Sequence, residues 1–80
     1  MEKEEEDRRI RTLRRIVDLG LQLIATDPAL SPGEAISVME HVRMHAMKLF
    51  PGKESTFDLI YRPRFLRVIQ ERWKIEETQC

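Results

Sequence analysis

SPGEAISVMEHVRMHAMKLFPG, residues 31–52, carries a helix start signal, an apolar stripe and a stop signal in one stretch. Ser31 can cap a helix that begins at Pro32. Glu34 stands three residues beyond the cap, the capping-box spacing at which each side chain accepts the other residue's backbone N–H. Pro51-Gly52 ends the run, because proline lacks the N–H a continuing helix needs and glycine takes the turn. Between them Ala35, Ile36, Met39, Val42, Ala46, Leu49 and Phe50 recur at three- and four-residue steps, one stripe of a helix. A helix with one apolar stripe must bury it against other elements, and the flanking segments supply them.

Upstream, from about Glu5 to Ala25, Ile10, Leu13, Val17, Leu21 and Ile24 share a stripe that Ile16 and Leu23 widen. Its first turns are polar all round. Acids and arginines stand four apart as Glu4–Arg8, Glu5–Arg9, Asp7–Arg11 and Arg14–Asp18, pairs worth about 0.2–0.5 kcal/mol each on an exposed helix. The acids also lie at the helix N-terminus, where the macrodipole favours them. These pairs account for the arginine tract without any ligand. Gly20 costs roughly 1 kcal/mol against alanine inside a helix, and close approach of another helix is the expected compensation. Thr26-Asp27-Pro28 stops the segment, since the residue before a proline is driven from the helical region. The short link to Ser31 predicts antiparallel packing of the first two helices.

Downstream, Ser55 followed by Asp58 three residues later marks a second start. Pro63 interrupts after one or two turns, and a last helix runs from about Pro63 to Glu76 with Phe65, Leu66, Ile69 and Trp73 inward and Val68 at the border. The chain reads as all-α: a small bundle of three main helices plus one short helix, the first extended as a charged arm. Residues 1–80 form one domain, with a frayed acidic start over 1–7 and a frayed tail over 77–80. The expected core is Val17, Leu21, Ile24, Ile36, Met39, Val42, Phe50, Phe57, Phe65 and Trp73.

Eighty residues is close to the size at which one core is only marginally sufficient, so a second copy that buries more apolar area fits this chain. No stretch approaches the roughly 20 apolar residues of a membrane span, and MEKEEED is the wrong flank for a signal peptide. A cytoplasmic protein is expected. Cys80 is the only cysteine, which excludes a disulfide framework and a cysteine-based metal site, and its final position excludes a prenylation signal. An exposed terminal thiol is its plain reading. Fourteen acids balance fourteen bases, yet residues 8–15 hold five arginines and no acid, and residues 62–74 hold four arginines and a lysine against one glutamate. Local tracts, more than the total, select partners.

Three groups of side chains have the chemistry of a site. Arg62, Arg64, Arg67 and Lys74 gather on the last helix, and arginines at a helix start oppose the macrodipole unless an anion neutralises them. An internal acid (Asp58, Glu54 or one from the first helix) is the structural answer. A bound phosphate or nucleic-acid backbone is the functional one. Met44 and Met47 share a flank with Glu40 on the second helix, and methionine suits an adaptable protein-binding surface as well as core filling. His41 and His45, four apart with Glu34 on the same face, have metal-clip spacing, but zinc needs at least three protein ligands and no other histidine exists. No glycine-rich phosphate loop, nucleophile–base pair or carboxylate pair marks a catalytic centre, and no cofactor is implied. The expected function is a non-enzymatic protein–protein interaction or regulatory module acting through helix faces, with another protein or a second copy as partner. The alternative is a nucleic-acid or phosphate-binding module built on the arginine-rich helix start.

Overall fold

The structure, a computed structural model, describes residues 2–74. Four helices and no strand occur among these residues: α1 Glu2–Thr26, α2 Pro32–Leu49, α3 Glu54–Ile60 and α4 Arg62–Trp73. The capping box forms as its spacing requires. The Glu34 N–H donates to Ser31 Oγ at 3.2 Å and the Ser31 N–H donates to Glu34 Oε1 at 2.8 Å, with Pro32 in the first turn. The Phe50 N–H still reaches the Ala46 carbonyl at 2.9 Å. The chain then turns through Gly52 at φ +82°, a left-handed conformation that glycine adopts without strain.

α1 ends in a turn organised by Asp27, whose Oδ1 accepts the Ala29 N–H at 3.0 Å. The turn sends α2 back antiparallel along α1. α4 runs in the same direction as α1, with Phe65 level with Gly20 and Arg72 reaching the carbonyls of Ile24 and Asp27. Val17, Ile24, Ala35, Met39, Val42, Ala46, Phe57, Phe65 and Ile69 form the buried core, with Ile24, Ala35 and Phe65 fully enclosed. Gly20 has the close neighbours its position demands. A Cβ built there would stand 2.8 Å from Val42 Cγ2 and 3.2 Å from Phe65 Cε1, so both other long helices press against it.

Several expectations shift. Ile36 is 44% exposed and outside the core, because the centre of the α2 stripe runs through Ala35, Met39, Val42 and Ala46. Two alanines there let α1 and α4 come close, which leaves the broad flank uncovered. Leu21 and Trp73 pack at the edge of the core, and Phe50 is half-buried at the rim of a cleft. α3 starts at Glu54 after Lys53 with no side-chain cap, so Ser55 lies inside the helix and does not cap it. α4 begins at Arg62, one residue before Pro63, and stops at Trp73 because Lys74 turns left-handed at φ 51°. The expected helix to Glu76 is therefore shorter, and Glu76, Glu77 and Cys80 lie outside the described residues.

Candidate functional site

α3 has only seven residues, and α4 starts level with the middle of α1. The half of the bundle beside the α1 N-terminus is thus left without a fourth helix. An open cleft of about 330 Å³ lies there, walled by Leu13 of α1, Ala46 and Met47 of α2, Phe50, and Phe57, Ile60 and Tyr61 of the α3 segment. Its polar residues are few: Glu6, Lys53 and Thr56. Phe57 and Tyr61 stack tilted, ring centres 5.5 Å apart, and give the cleft a rigid aromatic wall. Ile60 of this lining is open to solvent, and Leu59, 77% exposed, and Ile10 are further exposed apolar side chains. Sequence periodicity could not show this cleft, because it arises from where α4 starts in space.

The arginines of α4 divide by partner. Arg62 meets Glu40 of α2 at 3.2 Å. Asp58, Glu54 and the first helix, the expected partners, are not what it pairs with. Asp58 instead receives two hydrogen bonds from Arg43, at 2.8 Å to Oδ1 and 3.0 Å to Oδ2, a fork only a guanidinium supplies. Hydrogen bonding to Arg43, with added attraction from Arg43 and Arg62, holds the Asp58 carboxyl below the usual aspartate range despite opposing desolvation. The Arg43 guanidinium is raised in turn, first by the same hydrogen bond. Arg64 lies over the Tyr61 ring at 5.8 Å. Arg64, Arg67 and Lys74 are exposed and make no ion pair among the described residues.

The start of α4 offers no row of free N–H groups. Tyr61 closes α3 and opens α4 in the same right-handed helical conformation, so the two helices join almost end to end. The N–H groups of Arg64 and Phe65 are both spent on the Tyr61 carbonyl, at 3.0 and 3.2 Å, and Pro63 has none. A phosphate cradle of the kind expected there needs those donors.

Arg72, not singled out from the sequence, closes the end of α1. It donates to the Ile24 carbonyl at 2.6 Å and, through its other nitrogen, to the Asp27 carbonyl at 2.5 Å, while its plane covers the Trp73 ring at 4.4 Å. α1 has no basic residue in its own last turn, and a cation from α4 fills that role. The missing cation was the only trace of this in the sequence.

The methionines separate as well. Met47 lines the cleft and packs on the core, whereas Met44 is exposed on the outer surface. His41 and His45 are exposed on α2, and Glu34 is engaged in the capping box. Among the described residues no group of three or more His, Cys, Asp or Glu side chains could hold a metal ion. No helix among them is long and apolar enough to cross a membrane. Of the four charge pairs expected along α1, only Glu5–Arg9 is in range, at 3.8 Å. Arg8, Arg11, Arg14 and Arg15 make no ion pair among the described residues, and intrahelical pairing does not account for the tract. The chain matches no protein-family model and has no significant match among curated proteins or solved structures.

Proposed function

We propose that this chain is a non-enzymatic interaction module that receives an apolar helix face of a protein partner in the cleft between α1, α2 and α3. The observation that carries this reading is the aromatic-walled cleft itself, with Ile60 of its lining exposed to solvent. Small soluble domains seldom leave contiguous apolar surface open unless something covers it, and a groove between helices is a common seat for an amphipathic helix. The few polar residues of the cleft suit it to orienting a partner more than to bond-making. Capture by immobilised chain tests the reading. Proteins retained by the wild type and lost with the Ile60→Asp variant, at unchanged circular dichroism, would support it. Identical retention by both would refute it.

A second reading, nucleic-acid binding, draws on Arg64 and Arg67 of α4, which make no ion pair among the described residues. It requires that labelled DNA or RNA bind with affinity that falls log-linearly with salt, and that Arg64→Glu with Arg67→Glu abolish it. Salt-independent binding, or none, would remove this reading.

A further inference from the structure

We infer that the outward face of α1 is a separate binding surface, which takes the phosphate backbone of a nucleic-acid duplex through Arg8, Arg11 and Arg15. It involves neither the cleft nor the arginines of α4.

The first argument is placement. At 3.6 residues per turn these three arginines fall within about 60° of one another. They lie half a turn round the helix from the buried Val17, Gly20 and Ile24. All three are exposed, and they follow at steps of about 4.5 and 6 Å along the axis, a row open to solvent. Arg9, paired with Glu5, and Arg14 lie to either side of it.

The second argument is charge. Arg8, Arg11 and Arg15 make no ion pair among the described residues, and Glu4 and Asp7, each four residues ahead of an arginine, are not in range. Arg11 and Arg15, four apart, repel each other on the helix. A chain of repeated negative charges relieves the whole row at once, which a single small anion does not. Residues 8–15 hold five arginines and neither an acid nor a lysine. A guanidinium fork matches phosphate oxygens in pairs, where an ammonium offers only a point charge.

The third argument is what surrounds the row. Its line, Glu4, Arg8, Arg11, Arg15 and Asp18, contains no apolar side chain. A helix that lies on a membrane inserts an apolar face, and the apolar face of α1 is turned to the core. α1 has no aromatic residue to stack on bases, so contact is with the backbone and independent of sequence. Glu4 and Asp18 close the row at its two ends and limit it to about three phosphates, one for each arginine.

Fluorescence anisotropy of a labelled random-sequence DNA duplex, titrated with the full chain, tests this. Affinity should fall with salt at a log–log slope of about −2.7, the value for three phosphates. Arg11→Gln with Arg15→Gln, at unchanged circular dichroism, should weaken binding at least about tenfold and bring the slope to about −0.9. Arg64→Gln with Arg67→Gln should change affinity less than about threefold. No binding at low salt would overturn the proposal, and so would loss through the α4 pair alone. Equal loss from both pairs would overturn it too, since that reports net charge and not a row. Polyglutamate that competes as well as unlabelled duplex at equal charge would assign the row to an acidic protein instead. Binding to phosphatidylserine vesicles without binding to DNA would assign it to a membrane, and either result overturns the nucleic-acid assignment.

Discussion

Gly20 sits where α1, α2 and α4 converge, and its missing side chain sets how near they come. Alanine there improves helix propensity by roughly 1 kcal/mol. Its Cβ, however, would stand 2.8 Å from a methyl of Val42, a β-branched residue stiff on its own helix, and 3.2 Å from the enclosed Phe65 ring. Overpacking of this kind costs about 1–3 kcal/mol, so Gly20→Ala should lower the urea midpoint despite the better helix former. A midpoint unchanged or raised would show that the helices yield easily. Asp58 gives a second prediction at this scale. Its folded pKa is depressed by Arg43, so its contribution to stability is present above the unfolded-state value of about 3.9 and is lost as pH falls through the folded value. The gap in urea midpoint between wild type and Asp58→Asn should therefore be widest near neutral pH and close in acid. A constant gap down to pH of about 3 would contradict this. The close approach at Gly20 was legible in the sequence, because a mid-helix glycine needs a compensating neighbour. The Arg43–Asp58 fork was not, because the residues lie fifteen apart on different helices.

At the level of elements, α2 is the most self-contained, with both members of its capping box, its proline and its terminating turn within its own sequence. α1 depends on another helix for its end. Arg72→Met keeps the apolar stem and removes both donors to the Ile24 and Asp27 carbonyls. The expected cost is about 1.5–3 kcal/mol, with faster amide exchange over the last turn of α1. Arg72→Lys should recover only part, since an ammonium can attract the helix end without spanning two carbonyls. Equal stability of all three proteins would show the cap to be inert. Ser55 misled as a start signal because Lys53 and the preceding turn already set the direction of α3. Pro63 marked the start of α4 correctly, since it stands in the first turn of the helix, where its missing N–H costs nothing.

At the scale of the whole molecule, one core joins all four helices, so its loss is shared by every element. Phe65, fully buried at the contact of α4 with α1, is the sharpest test. Phe65→Ala should cost about 3–5 kcal/mol, enough to unfold a domain of this size in one cooperative transition. Leu59→Asn, at a position 77% exposed, should move stability by less than about 0.5 kcal/mol. A large loss at Leu59 and a small one at Phe65 would contradict the placement of the core.

Signals close together along the chain make it helical, place the two long helices, turn them back on each other and call for a neighbour at Gly20. Those features rest on residues within one helix or one turn of each other, where caps, breakers and three- and four-residue spacing act. Tertiary structure alone decided that Ile36 faces out, that Glu40 answers Arg62, that Arg72 caps α1 and that a cleft opens beside its arm. Each depends on how the helices meet in space, Val42 of α2 and Phe65 of α4 closing on Gly20 of α1, and no local spacing encodes it.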